Sequence, residues 1–123
     1  MSWEVEYTDE FNEWWESLTE AEQKSVAKIV LLLSNFGPSL NYPYSTDIVL
    51  SRNRKLRELR IQHRGHPYRV LYAFDPRRTA ILLIGGDKTG DDRWYQTNIP
   101  IAEQLYDRYL DELEESDNGQ EIH

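Results

Sequence analysis

The strongest constraint on this chain lies between residues 56 and 74, where two alternating runs flank the dipeptide Arg64-Gly65. In Leu56–His63, Leu59 and Ile61 share one face, while Glu58, Arg60 and Gln62 share the other. In Pro67–Phe74, Tyr68, Val70, Tyr72 and Phe74 lie opposite Arg69 and Leu71. Successive strand side chains point to opposite sides. A two-residue turn at Arg64-Gly65 therefore pairs His63 with His66 and Arg60 with Arg69. A one-residue slip would mix buried and polar positions, so the alternation disfavours it. The segment predicts an antiparallel hairpin with Leu59 and Val70 toward a core and Arg60 and Arg69 on an exposed face.

The remaining elements follow from spacing and capping. Residues 3–7 alternate as a half-buried strand does. Thr8 is placed to cap a helix carrying Phe11, Trp14, Trp15 and Leu18 at helical spacing, a pattern of core packing more than of a stacking platform. Thr19 and Glu22 form a capping-box pattern for a second helix with Val26, Ile29, Val30 and Leu33 on its apolar side, stopped by Gly37-Pro38. Residues 39–51 read as irregular. A third strand, Thr79–Ile84, follows the turn Asp75-Pro76-Arg77-Arg78, which predicts Phe74 opposite Thr79 and Ile84 opposite Arg69. Gly85-Gly86 ends that strand, and Asn98 with Pro100 opens a final helix with Ala102, Leu105, Tyr106, Tyr109, Leu110 and Leu113 on its apolar side. The order is β-α-α-β-β-β-α, an α+β fold with helices packed on an antiparallel-dominated sheet. At 123 residues the chain fits one domain, 1–115, with a polar tail at 116–123 expected to be disordered.

Charge is segregated along the chain. The formal net charge of −8 argues against a polyanionic partner, but residues 52–78 carry nine basic groups against Glu58 and Asp75, a local +7. Residues 1–23 hold eight acidic groups and no Lys or Arg, and residues 103–123 hold eight acidic groups and Arg108. The basic stretch is either a phosphate-facing patch, with the acidic helices turned away, or a solvated surface. There is no cysteine, which excludes disulfides and thiolate metal sites and is compatible with a reducing cytoplasm. No run approaches the roughly 20 apolar residues of a membrane span, and Met1-Ser2-Trp3-Glu4 lacks a signal peptide's basic start.

Candidate chemistry concentrates in the hairpin. Arg60 and Arg69 directly opposed are mutually destabilising by some tenths of a kcal/mol, an arrangement that suits either a phosphate grip or a Glu58 bridge. Lys88, after the third strand, supplies another cation, and Trp94 or Tyr95 a surface for base stacking. Arg52, Arg54, Lys55 and Arg57 extend the candidate RNA-binding surface. Residues 85–90 do not match a Walker P-loop, and His63 and His66 lack companion carboxylates at ligand spacing, so neither a nucleotide cofactor nor a metal is expected. Metal-free RNA cleavage needs a base for the 2′-hydroxyl, cations for the phosphorane and an acid for the 5′-oxygen. Glu58 is the candidate base and Arg60, Arg69 and Lys88 are the candidate cations; Lys88, Tyr95 or an arginine could serve as the acid.

Leu56-Arg57-Glu58-Leu59-Arg60, then Tyr68-Arg69-Val70-Leu71-Tyr72-Ala73-Phe74, then Ile81-Leu82-Leu83-Ile84 before a lysine loop and an Ala102-containing helix, resembles the RelE/HigB toxin superfamily. The likeness is greatest to its HigB-like, phage-derived branch and spans roughly residues 3–113. It implies a RelE-like fold and a type II toxin that cleaves mRNA on the ribosome until a cognate antitoxin, commonly a helix-turn-helix protein, neutralises it. By position, Arg60 and Arg69 match the family's sheet arginines, Glu58 its acidic residue and Lys88 its post-strand lysine. Where relatives often carry Phe-x-Lys-Lys, this chain has Gly85-Gly86-Asp87-Lys88. The same fold also admits a ParE-like gyrase inhibitor or a catalytically silent antitoxin-binding module.

Overall fold

The computed structural model describes residues 2–49 and 56–121, with side chains through residue 116. The elements are β1 (Glu4–Tyr7), α1 (Asp9–Glu16), α2 (Glu20–Phe36), β2 (Ser45–Asp47), β3 (Arg57–His63), β4 (His66–Phe74), β5 (Thr79–Asp87) and α3 (Trp94–Glu121). One sheet in the order β1-β5-β4-β3-β2 holds all five strands. β1 runs parallel to β5, and the other neighbours are antiparallel.

The β3–β4 hairpin has the register that alternation dictates: His63 opposite His66, Arg60 opposite Arg69 and Leu59 opposite Val70. Its turn residues both have positive φ, Arg64 at 50° and Gly65 at 81°. That pair of signs suits the twist of the two strands. The helix starts are also local. The Thr8 hydroxyl accepts the Phe11 amide at 3.0 Å, and Thr19 and Glu22 close a reciprocal capping box. Capping of this kind contributes about 1 kcal/mol per helix.

The architecture is three layers, not helices on one side only. α1 and α2 cover the face bearing Leu59, Ile61, Tyr68, Val70, Tyr72, Ala80 and Leu82. α3 covers the other through Trp94, Ile99, Ala102, Leu105 and Tyr106 against Leu71, Ala73, Ile81 and Leu83. The face expected to be exposed is therefore largely roofed by α3. The reason is compositional: Leu71, Ala73, Ile81 and Leu83 are too apolar to leave in water, and the stripe on α3 matches them.

Three further expectations are corrected. A strand, β2, forms within the segment read as irregular: Ser45, Thr46 and Asp47 pair with Leu59, Glu58 and Arg57. β5 continues through Gly85 and Gly86 to Asp87, and its register differs from a simple four-residue turn. Phe74 lies opposite Ala80, and an extra residue enters at Leu83, so Gly86 and not Ile84 faces Arg69. The bulge is pinned from outside the hairpin, because the Thr8 hydroxyl donates to the Leu83 carbonyl at 2.7 Å. Lastly, α3 begins at Trp94, with Asn98 and Pro100 inside it. Asp91 accepts the Arg93 amide at 3.0 Å, satisfying a donor ahead of the first turn. Burial of Trp94 and Ile99 holds the helix together across the internal proline.

Glu22 also ties α2 to the sheet by accepting the Tyr68 hydroxyl. That hydrogen bond, followed by those from Thr19, holds the Glu22 carboxyl at about 2, below its ordinary 4.5. Burial, then Glu22, pushes the Tyr68 hydroxyl up to about 12. A carboxyl lowered by folding contributes stability above its unfolded value and loses that contribution as pH falls toward its folded value. Tyr68→Phe is expected to return Glu22 toward its ordinary value, measured by carbon NMR of its carboxyl. Its stability deficit in urea should be full at pH 7 and shrink as pH falls from about 4.5 toward 2. A deficit that grows on acidification would contradict this assignment.

Candidate functional site

The cation pair predicted across the hairpin is organised around a buried carboxylate. Glu58 and Arg69 are each 5% exposed, whereas Arg60 is half-buried. Glu58 reaches both arginines: Oε2 lies 3.3 Å from Arg60 Nη1, and Oε1 lies 3.4 Å from Arg69 Nε. A negative charge between two opposed guanidinium groups removes the repulsion that their register imposes. The pair is therefore not a twin exposed grip on phosphate; Arg69 is enclosed and Arg60 alone projects toward solvent.

Tyr95, at the start of α3, completes the enclosure. Its hydroxyl donates to Glu58 Oε1 at 2.6 Å and accepts from Arg69 Nε at 3.2 Å. Burial, then Glu58, raises the Tyr95 pKa, so the phenol stays protonated at neutral pH. Thr46 on β2 donates to Glu58 Oε2 at 2.7 Å, and Arg69 Nη1 donates to the Tyr68 carbonyl at 3.0 Å. A charge pair taken from water is tolerated when its remaining hydrogen-bonding capacity is filled, and each of these bonds fills part of it.

Lys88 joins the cluster. Its amide donates to the Pro67 carbonyl at 3.0 Å, fixing the chain where β5 ends. Its Nζ lies 5.6 Å from the centre of the Tyr95 ring. Gly86 leaves room for the neighbouring Trp94, because a Cβ there would stand 2.6 Å from Trp94 Nε1. Trp94 therefore packs directly over the strand beside Arg69. The Arg60 guanidinium in turn sits 5.6 Å from the ring centre of Tyr42, a residue 73% exposed.

The other sequence candidates are placed elsewhere. Trp94 is buried and offers no base-stacking surface. Arg57 lies on the α1–α2 side, donating to the Tyr72 hydroxyl at 3.1 Å, the Leu40 carbonyl at 2.9 Å and the Ser45 hydroxyl at 3.2 Å, and pairing with Asp47. Those contacts make it the anchor of β2 and take it out of an RNA-facing set. Arg52, Arg54 and Lys55 lie outside the described residues. His63 and His66 bond to Ser25 at 2.6 Å and Thr89 at 3.0 Å respectively. Thr46 and Tyr42 escaped sequence reasoning, because a three-residue polar edge strand carries no alternation to find and Tyr42 lies in the turn before it.

The acidic helices do not both turn away from this cluster. α3 lies on the same face, but its C-terminal half reaches the opposite end of the sheet, where Tyr109 donates to Asp75 at 2.9 Å and Arg108 pairs with Glu10 at 2.9 Å. Fifteen residues separate Tyr95 from Leu110, about 22 Å along a helix. The cations therefore keep their own neighbourhood.

The Tyr95 hydroxyl bridges both members of the buried pair. Tyr95→Phe is expected to destabilise the fold by about 1–3 kcal/mol, because two buried charged groups each lose a partner. Urea unfolding measures this; a change below about 0.5 kcal/mol would place the hydroxyl outside the network's energetics.

Residues 13–107 match the family model described as phage derived protein Gp49-like (DUF891). HigB3 of Mycobacterium tuberculosis, which bears a toxin's name, is 42% identical over 98 residues, covering 79% of this chain and 84% of that protein. HigB2 of the same organism, also named as a toxin, is 31% identical over 105 residues, covering 84% of this chain but only 52% of its own length. The archaeal RelE-RelB complex from Pyrococcus horikoshii superposes with a TM-score of 0.54 at 16% identity, over 73% of this chain and 99% of that one. At that identity the likeness carries the fold. Taken with the hairpin and its cluster, these relations show that the chain belongs to the phage-derived Gp49-like family, within the RelE/HigB toxin superfamily.

Proposed function

We propose that this toxin-family chain is a metal-independent, ribosome-dependent mRNA endoribonuclease of the cytoplasm, neutralised by a cognate helix-turn-helix antitoxin. The observation that carries the reading is the cluster itself. Glu58 and the Tyr95 hydroxyl are linked at 2.6 Å, and Arg60 and Lys88 stand at its margin. The P. horikoshii RelE is held with RelB, and a protein partner of that kind is proposed for this chain's single domain, residues 1–115.

The chemistry follows from the lone pairs. Glu58 already accepts from Tyr95, Thr46 and Arg60, so a substrate hydroxyl meets the Tyr95 oxygen more readily than the carboxylate. As the ribose 2′-oxygen bonds to phosphorus, its proton passes to the Tyr95 oxygen while the Tyr95 proton passes to Glu58. Glu58 thus acts as the base through the phenol, and Arg69 positions that phenol. Arg60 and Lys88 face the charge gathering on the phosphorane, where preorganised donors contribute most. The bond to the 5′-oxygen breaks, leaving a 2′,3′-cyclic phosphate. The departing oxygen takes a proton from the Lys88 ammonium, because an ammonium releases one far more readily than a guanidinium does.

The test is to induce the chain alone in bacteria and map new mRNA 5′ ends. Arg60→Ala and Lys88→Ala should each reduce cutting about a hundredfold or more. Arg69→Ala is a poorer probe, since stripping a buried carboxylate of its partner costs about 3–5 kcal/mol of fold stability. RNA binding is expected to weaken as salt rises. Growth arrest without cuts would overturn the nuclease assignment in favour of a protein-directed toxin such as a gyrase inhibitor.

A further inference from the structure

The apolar groove of about 710 Å³ between α1, α2 and β1 has Glu4 in its lining, and exposed Asp9 and Glu16 flank Asn12 at its edge. Its charge repels a polyanion. A smaller cavity of about 320 Å³ has the opposite character. It opens at the edge of β3, between α2 and the turn that leads into β2, and Arg60 is part of its wall. The floor is apolar, formed by the buried Ile29 and Ile61. Pro43 and Tyr44, the latter 43% exposed, form one side, and Ser25 and Lys28 of α2 the other. Among the described residues the lining holds two cations, Arg60 and Lys28, and no carboxylate.

Two features equip this cavity to read a nucleobase. The first is an open strand edge. β2 begins at Ser45, opposite Leu59, whereas β3 continues to His63. The Arg60 amide donates to the Tyr44 carbonyl at 2.8 Å. Alternation therefore turns the Gln62 N–H and C=O toward the same edge, two residues beyond, where β2 no longer lies alongside. The exposed Gln62 side chain adds an amide donor and a carbonyl acceptor there. The second feature is a preset aromatic wall. The Tyr44 and Ser45 amides both donate to the Asn41 carbonyl, at 3.0 and 3.1 Å, which fixes the turn that carries Tyr44. Unpaired bases are recognised by this combination, an aromatic face for stacking and hydrogen bonds to the base edge.

We propose that the cavity takes the base of the nucleotide next to the scissile bond. Tyr44 supplies the stacking surface, the Gln62 backbone and side-chain amide read the base edge, and Lys28 meets the phosphate beyond. The proposal deepens the nuclease reading and rests on it for its substrate. Arg60 joins the two sites, because its guanidinium reaches Glu58 at 3.3 Å and also lines the cavity. A strand whose scissile phosphate meets Arg60 can lay the adjoining base against Tyr44. Gln62 is then a specificity residue, since phosphate contacts position a strand while contacts to base edges select it.

The experiment has two arms, both on the full chain. In the first, cut sites are mapped in cells for the parent and for Gln62→Leu, which keeps the bulk and removes the side-chain amide. The base preference at a single position beside the cut should flatten while the other positions keep theirs. No preference there in the parent, or an identical preference in a variant that still cuts, would overturn the cavity and leave the nuclease standing. In the second arm, trinucleotides methylated at every 2′-oxygen, and so resistant to cleavage, are titrated while amide NMR shifts are followed. The Tyr44 and Gln62 amides should move. Tyr44→Leu is expected to weaken binding about tenfold, and Lys28→Ala to lower the salt slope by about 0.7. No shift at those residues, or affinity and salt slope unchanged in both variants, would overturn the proposal. Binding that these changes weaken in a chain that cuts no mRNA would uphold the cavity while refuting the nuclease.

Discussion

Glu58 is the point at which the separate elements of this protein become one site. Its carboxylate joins β2 through Thr46, its own strand through Arg60, β4 through Arg69 and α3 through Tyr95. The demand is electrostatic. β3 and β4 are in a register that sets two arginines face to face, and the core on the other side of the hairpin forbids any other register. Glu58, two residues along, compensates, but a carboxylate under a helix needs donors. The Tyr95 hydroxyl and the Thr46 hydroxyl supply them.

This dependence explains the placement of α3. The helix starts six residues before its internal proline, so that Trp94 seats on Gly86 and Tyr95 reaches Glu58. A start at Asn98 would leave the buried pair without its phenol. The bulge at Leu83 advances β5 by one residue, so that Gly86, the residue over which Trp94 packs, lies across from Arg69. At the other end of α3, Asp75 is buried, which pushes its pKa up. Hydrogen bonds from the Thr79 amide, Tyr109 and Arg77 outweigh that effect and leave the net shift downward. The roofing helix is therefore tied by polar contacts at both ends and by an apolar stripe between them.

The two faces of the sheet carry different kinds of surface. Beside the α3 N-terminus lie cations around a hydrogen-bonded carboxylate and phenol; beside α1 and α2 lies an apolar groove with acidic residues at its edge. An overall charge of −8 conceals both, since it averages a local +7 with two acidic segments. Family membership accounts for the shared scaffold. The glycine pair at 85–86 lets Trp14 and Trp94 approach β5 from opposite sides.

What the sequence determined by itself was what depends on neighbours in the chain. The hairpin register followed from period-two alternation and a two-residue turn, the helix starts followed from Thr8 and Thr19, and the grouping of Glu58, Arg60 and Arg69 followed from register. Tertiary structure decided which face α3 would cover, and with it that Arg69 and Trp94 are buried and that the Tyr95 hydroxyl reaches Glu58. It also decided the β2 edge, the β5 bulge and the inward turn of Arg57, each held by contacts between residues 10 or more apart in sequence. Local spacing encodes torsion angles and caps. It does not encode which of two apolar faces a distant helix will close, because that choice is made by burial and hydrogen bonding across the assembled chain.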